Sequence, residues 1–339
     1  MAKWNCVLTA GVVAGALVAV TGCLQQPSSV DDLIRARMEL DQGRRDMAMA
    51  RLTAAIEKNP QLGLAYLGRG EIYKQTGDYQ AAANDFEKAT KLEPYNFNAH
   101  YQLGLMYQYL KKFAEAIQSY QKAVEIRPMD ADANMNLALV YSQTGDPLHG
   151  LRYAQQAVNG AQDSAMAHAN LGAMYAQLGY GDLAIDEYKR AIELNSKLTE
   201  VYLNLATEYL KNNKYEQGRQ VLETAAALAN SPAVSERLGF AYFKLHRFDN
   251  AKAAYQDSLK LNPSYFQSMN GLGVIAMTAA LGQQPPDIAQ AKEALAYWRR
   301  SLQVEPKQPV IEQLVNKYAG AGEEKTSTPN SDANKTAGT

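Results

Sequence analysis

Residues 97–130 read FNAHYQLGLMYQYLKKFAEAIQSYQKAVEIRPMD. The stretch carries two helical faces. Leu103 and Tyr107 stand four apart on the first, and Ala116 and Tyr120 repeat that step on the second, the spacing that gathers side chains on one side of a helix. Gly104 and Ala123 are small where two helices must approach closely. Pro128 cannot continue the second helix and marks a turn.

A shift of 34 residues brings the pattern back. The small position reads Gly70, Gly104, Ala138, Gly172 and Ala206, then Gly239 after a step of 33, then Gly273. The aromatic three residues later reads Tyr73, Tyr107, Tyr141, Tyr175, Tyr209 and Tyr242. The small residue of the second helix reads Ala89, Ala123, Ala157, Ala191 and Ala225, with Ser258 and Ser301 later. This order of Leu, small, Tyr, Ala, aromatic, Ala and Pro over 34 residues resembles the tetratricopeptide repeat (TPR). The resemblance implies an all-α fold, a right-handed TPR α-solenoid of about eight helix-turn-helix repeats plus a C-terminal capping helix. One continuous core would then be buried between neighbouring repeats.

The first repeat, residues 29–62, is degenerate: Glu39 replaces the Tyr, and Asp32 and Arg35 fill places that are normally apolar. A terminal repeat with one face toward solvent is expected to depart in this way. The others begin near Gly63, Phe97, Ala131, Ala165, Thr199, Pro232 and Phe266. Gly77-Asp78, Gly145-Asp146, Gly179 and Asn212-Asn213 are expected to end first helices. The fourth and sixth second helices carry Gly150 with Ala154 and Gly218 with Leu222 where Ala and an aromatic are expected, so they are expected to be softer. In the eighth repeat Gly273 and Ala294 are 21 residues apart where other copies use 12. The nine extra residues are expected around Gly282-Gln283-Gln284-Pro285-Pro286, as a tolerated loop or a partner contact. Val310, Leu314 and Tyr318 place a capping helix at 309–320, and residues 321–339, with no large apolar side chain, read as a disordered tail.

Residues 1–23 are different material. Lys3 precedes an apolar run from Val7 to Val20, too short for a comfortable span and suited to a secretory signal. Val20-Thr21-Gly22-Cys23 resembles the bacterial lipoprotein cleavage box. That resemblance implies a signal peptide over 1–22, a lipidated Cys23 within a short tether over 23–29, and the array with its cap over 30–320. The alternative is an ordinary signal peptide with an incidental cysteine. Several acyl chains on Cys23 would give a stable membrane anchor. Leu24 follows, rather than the Asp that often retains lipoproteins at the inner membrane, so a bacterial envelope location favours the outer membrane, on its periplasmic side.

The 339 residues are 47% hydrophobic and 20% charged, with a formal net charge of −1. Nucleic-acid binding usually needs a basic face, and none is indicated. Both cysteines, Cys6 and Cys23, lie in the first 23 residues, so the body holds no disulfide, thiolate metal site or cysteine nucleophile. No paired-histidine zinc motif, phosphate-binding Gly loop or serine elbow is present, and no cofactor, metal or small-molecule substrate is expected. His100 and His168 share one packing position of the first helix and read as structural; His149 and His246 fall near turns.

Surface recognition remains. Family resemblance puts the first helices on an inner, concave wall. Their sixth position reads Gln102, Asn136, Asn170, Asn204, then Arg237, and nothing in the stacking pattern requires Asn there. The series resembles the asparagine ladder in the TPR superhelix of O-linked N-acetylglucosamine transferase, which holds the backbone of extended peptides; the glycosyltransferase domain of that family is absent. An Asn amide matches a peptide N–H and C=O. Three such bonds, each worth roughly 0.5–1.5 kcal/mol, fall short of the about 8 kcal/mol of micromolar binding. Tyr101, Leu105, Tyr109, Met135, Leu139 and Phe240 are the apolar candidates for the remainder. The alternative is that these asparagines are solvated residues copied by recent duplication. The Lys and Asn of chaperone-tail carboxylate clamps are missing: those places read Leu67 and Glu71, Tyr101 and Leu105, Met135 and Leu139.

The function expected is a membrane-anchored, non-catalytic protein–protein interaction scaffold that holds an extended partner segment. An envelope assembly factor, similar in architecture to the TPR lipoproteins that act as pilotins, is a specific version. The alternative is an enzyme, perhaps a hydrolase of envelope polymers, which would need a His and a carboxylate within hydrogen-bond reach in a cleft.

Overall fold

The computed structural model describes residues 28–319, so the signal peptide, Cys23 and the 321–339 tail lie outside the described residues. Those residues form helices α1 (Ser29–Asp41), α2 (Arg45–Lys58), α3 (Gly63–Thr76), α4 (Tyr79–Leu92), α5 (Phe97–Tyr109), α6 (Phe113–Ile126), α7 (Ala131–Gln143), α8 (Pro147–Gly160), α9 (Ala165–Gln177), α10 (Gly181–Leu194), α11 (Thr199–Lys211), α12 (Tyr215–Leu228), α13 (Pro232–Lys244), α14 (Phe248–Leu261), α15 (Phe266–Leu281), α16 (Ile288–Val304) and α17 (Pro309–Tyr318). No strand occurs among the described residues. The odd-numbered helices up to α15 are the first helices of eight repeats, and α17 is the cap. They fall into two compact units, one up to Val140 and one from Tyr141. In the first, consecutive helices from α1 to α6 pack in turn; in the second, those from α8 to α17 do, and α9, α11, α13 and α15 also touch in sequence.

The repeat pattern becomes packing in a simple way. The second-helix position holding Ala55, Ala89, Ala123, Ala157, Ala191 and Ala225 is fully buried, as are Ser258 and Ser301. There the two serines satisfy their hydroxyls internally: Ser258 Oγ donates to the Pro232 carbonyl at 2.9 Å and Ser301 Oγ to that of Phe266 at 3.4 Å. Phe86, Tyr120, Tyr188, Tyr255 and Trp298 are buried on second helices. Each lies over the glycine of its own first helix.

Turns within repeats share one backbone device. Gly43, Gly77, Lys111, Gly145, Gly179, Asn213 and His246 all have positive φ, and they recur every 34 residues, with one step of 33. The next residue's N–H reaches back to the last turn of the helix, as from Lys112 to the Tyr107 carbonyl at 2.8 Å and from Lys214 to that of Tyr209 at 2.8 Å. This closes orphan carbonyls at the helix end. Asn213, not Asn212, is the left-handed residue of its pair.

Turns between repeats share a side-chain device. His100 Nε2 lies 3.0 Å from the Pro94 carbonyl, Asn134 Nδ2 donates to that of Pro128 at 2.8 Å, and His168 Nε2 lies 3.1 Å from that of Gln162. The same position of three successive first helices thus holds the turn that precedes it. Asn96, Asp130 and Ser164 also accept the N–H groups of Ala99, Ala133 and Ala167, satisfying donors that a helix start leaves unpaired.

Two expectations need correction. The insertion of repeat eight is mostly helix. α15 has 16 residues where α13 has 13, α16 has 17 where α14 has 14, and the turn 282–287 has six where 245–247 has three. Asp32 does not face solvent either. It is 1% exposed and bonded to Lys58 Nζ at 2.5 Å, with Arg51 Nη1 at 3.5 Å; the charged substitution in the terminal repeat is a buried carboxylate paired with cations that are themselves partly exposed.

Candidate peptide-binding face

The first helices bury the same register each time. Ala99, Leu103, Gly104 and Met106 are buried in α5, and Ala167, Leu171, Gly172 and Met174 in α9. The second, sixth, ninth and thirteenth positions are not fully buried in any repeat, although Leu105 and Val274 at the ninth still pack against the core. The candidate residues fall there, together with the fifth position at the core's margin.

In the first unit Gln102 is half-buried and its Oε1 accepts from Lys74 Nζ at 3.1 Å; Lys74 also pairs with Glu71 at 2.6 Å. Asn136 Nδ2 donates to Tyr101 Oη at 2.9 Å. Two candidates read from sequence as separate contacts are therefore bonded to one another, from α7 to α5. Tyr101 also stacks on Phe97, with ring centroids 5.7 Å apart, and burial pushes its phenol up. Tyr109 is 56% exposed and lies on Tyr79 with centroids 4.7 Å apart and planes 12° from parallel. Leu139 is exposed, and Leu105 and Met135 are half-buried. In the second unit Asn170 is half-buried and Asn204 exposed. Phe240 is exposed, with Lys244 Nζ 5.8 Å from its ring centroid.

Each unit has a cleft on this face. That of the first unit, about 400 Å³, is lined by Arg37, Asp41, Arg45, Gly68, Glu71 and Asn98 among others. That of the second, about 270 Å³, opens between α9 and α11 and is lined by Gln177, Tyr188, Asn204, Thr207, Glu208 and Lys211 among others. Glu208 was not singled out from the sequence. It is 5% exposed and takes the tenth position, which Ile72, Met106, Val140 and Met174 fill elsewhere. A carboxylate at an apolar register was the available signal.

The histidines make internal contacts. His168 Nδ1 lies 2.6 Å from Glu187 Oε2, and with Nε2 on the Gln162 carbonyl both ring nitrogens are engaged. His149 Nδ1 lies 2.7 Å from Asp146 Oδ2, and that hydrogen bond holds the Asp146 carboxyl below its usual range; Asp146 also caps α8 through the His149 N–H. Both pairs are within hydrogen-bond reach, and neither lines either cleft. Among the described residues no His, Cys, Asp or Glu group is placed to hold a metal, and no helix is long and apolar enough to cross a membrane.

With this geometry in hand, family profiles match the repeats directly. A TPR repeat profile matches 70–111 and 104–145, and tetratricopeptide repeat profiles match 166–198, 199–232 and 232–265. The chain belongs to the tetratricopeptide repeat family. Solved structures show the same fold. The C-terminal part of a TPR repeat-containing protein from Cytophaga hutchinsonii matches with a TM-score of 0.59 at 16% identity, over 71% of this chain and 99% of that one. The Cut9–Hcn1 hetero-tetramer of the APC/C matches at 0.57 and 17% identity, over 88% of this chain and 57% of that one. PilF of Pseudomonas aeruginosa matches at 0.53 and 19% identity, over 61% and 94%. Comparison with curated protein sequences gave no match.

Proposed function

We propose that this TPR protein is a non-catalytic scaffold, anchored to a bacterial envelope membrane through a lipidated Cys23, that holds an extended segment of a partner protein along its first-helix face. The observation that carries the reading is the division of labour within the first helix. One register builds the core in every repeat, while a second, incompletely buried register presents amides, aromatics and aliphatics, with Asn204 lining a cleft. An isolated apolar patch would suit many ligands; alternating amides and apolar side chains at helix-to-helix spacing suit an extended chain. Helices packed roughly 8–10 Å apart meet about every third residue of a strand rising about 3.3 Å per residue. A scaffold for an envelope complex follows from the two parts together. With α1 starting at Ser29, the chain after Cys23 would keep the start of the first repeat within roughly 20–22 Å of the lipid surface.

The test separates the face from the fold. Asn170→Ala and Asn204→Ala together should weaken partner capture from solubilised membranes severalfold and leave thermal unfolding unchanged. Asn136→Ala is scored separately because it also frees Tyr101. Undiminished capture by the double variant would remove the amide contacts from the account.

A further inference from the structure

We infer that the cleft between α9 and α11 is a specificity pocket for one basic side chain, lysine or arginine, of the extended segment. This rests on the reading that the first-helix face holds a polypeptide. It adds what that polypeptide must carry.

The inference starts from a residue that the stack does not need. Glu208 occupies the tenth position of α11, where Met106 and Met174 are buried at 0% and 2% exposure. A carboxylate there loses hydration that a methionine would not miss. Its described partner is Lys211, one helical turn on, with Nζ at 2.7 Å from Oε1. The two charges are held very differently: the Glu208 side chain is 7% exposed and the Lys211 side chain 59%. The anion is fixed at the floor, and the cation stands at the mouth on a flexible stem.

Acceptor oxygens stand around Glu208, while the Tyr188 phenol and the Asn204 and Gln177 amides also carry donors, so Glu208 alone sets the sign of the cleft's fixed charge. Tyr188 is 2% exposed and lines the cleft; burial, with Glu208 nearby, pushes its phenol well up, so it stays neutral. Thr207 spends its hydroxyl proton on the Leu203 carbonyl at 2.7 Å, leaving the oxygen as an acceptor. Asn204 at the rim offers a carbonyl oxygen. A carboxylate, a phenol oxygen, a hydroxyl oxygen and an amide oxygen around about 270 Å³ suit a guanidinium or an ammonium. Lys211 then acts as a resident stand-in. It neutralises Glu208 in the free protein and swings into solvent when the ligand's cation enters. An incoming carboxylate would meet the fixed anion and find its only counter-charge on the mobile residue.

The measurement is side-chain amide NMR of the full chain in detergent, titrated with short alanine peptides carrying Arg, Gln or Glu at the centre. The Arg peptide should shift the Asn204 amide, the Gln peptide less, and the Glu peptide not at all. Lys211→Ala should tighten the Arg peptide severalfold by removing the competitor. Glu208→Met should weaken it about tenfold or more while raising the melting temperature, because the register is restored; Glu208→Gln guards against a packing artefact. Equal shifts from all three peptides would overturn the cationic pocket and leave the peptide-binding face standing. Preference for the Glu peptide, lost in Lys211→Ala, would overturn the sign. No shift at Asn170 or Asn204 with any peptide would remove the face and the pocket together.

Discussion

A β-carbon at Gly104 would lie 2.7 Å from Cδ1 of Tyr120, too close for any real contact. Gly70 stands in the same relation to Phe86, Gly172 to Tyr188, Gly239 to Tyr255 and Gly273 to Trp298. In two of the repeats whose first helix has Ala instead, at Ala36 and Ala206, the partner is Leu52 or Leu222. The volume added on one helix is removed from the other. Repeat six is thus repacked, and Gly218 is matched as well: a Cβ there would lie 2.9 Å from the Leu210 side chain. Gly104→Ala should cost about 1–3 kcal/mol through overpacking. Adding Tyr120→Leu should recover part of that loss, a coupling that denaturant unfolding of the double-mutant cycle reads directly. Lys111 and His246 hold the left-handed position with side chains that disfavour it. Lys111→Gly should therefore stabilise by about 0.5–1 kcal/mol, seen as a higher denaturation midpoint with an unchanged slope.

Glu236 gives a pH signature at the same scale. Burial raises its pKa above 4.5, with Arg237 opposing. A carboxyl raised in the folded state binds its proton more tightly there, so folding is favoured at low pH. That advantage fades as pH rises from the unfolded value through the folded one. Glu236→Gln should accordingly raise the melting temperature at neutral pH, and the difference should shrink below about pH 4.5. Small-residue positions and buried aromatics were legible in the sequence because they repeat. The Tyr101–Asn136 bond was not, because it depends on two rotamers on neighbouring helices and has no counterpart in the other repeats to betray it.

Helices were legible nearly to the residue, since each repeat carries its own stop and start. The insertion in repeat eight was legible as a length and not as a shape. Its flanks, Ala276-Met277-Thr278-Ala279-Ala280-Leu281 and Ala289-Gln290-Ala291, are good helix formers. The added residues therefore extend α15 and α16 as well as the turn. Apolar packing of Ile311 and Leu314 holds the capping helix, and one amide fixes its start: Gln308 Nε2 donates to the carbonyls of Ser301 at 3.2 Å and Glu305 at 2.7 Å, and its Oε1 accepts from Asn270 Nδ2 at 2.7 Å. Behind it Tyr318 lies against Trp298, with ring centroids 6.3 Å apart. Gln308→Ala should speed amide exchange throughout α17 while α9 to α12 keep their protection. Equal acceleration everywhere would mean that the bond stabilises the whole unit rather than its end.

At the scale of the molecule, a free register is the consequence of building every repeat the same way. Stacking uses one face of each first helix and leaves another to carry whatever side chains binding requires. The candidate positions were legible by subtraction, since those not needed for the core stay at least partly exposed in every copy. Its pocket was not, because a single Glu at one tenth position is invisible until the helices around it are placed. Anchoring belongs to this scale too. Palmitate should label the full chain and not Cys23→Ser; equal labelling would detach the scaffold from the membrane. The most direct measurement of the central claim is photo-cross-linking in cells, with a photoreactive residue at Asn170 on the free register of α9 or at exposed Lys189 on α10. A discrete protein adduct is expected from Asn170 and none from Lys189. The same adduct from both, or an adduct from Lys189 alone, would contradict the claim.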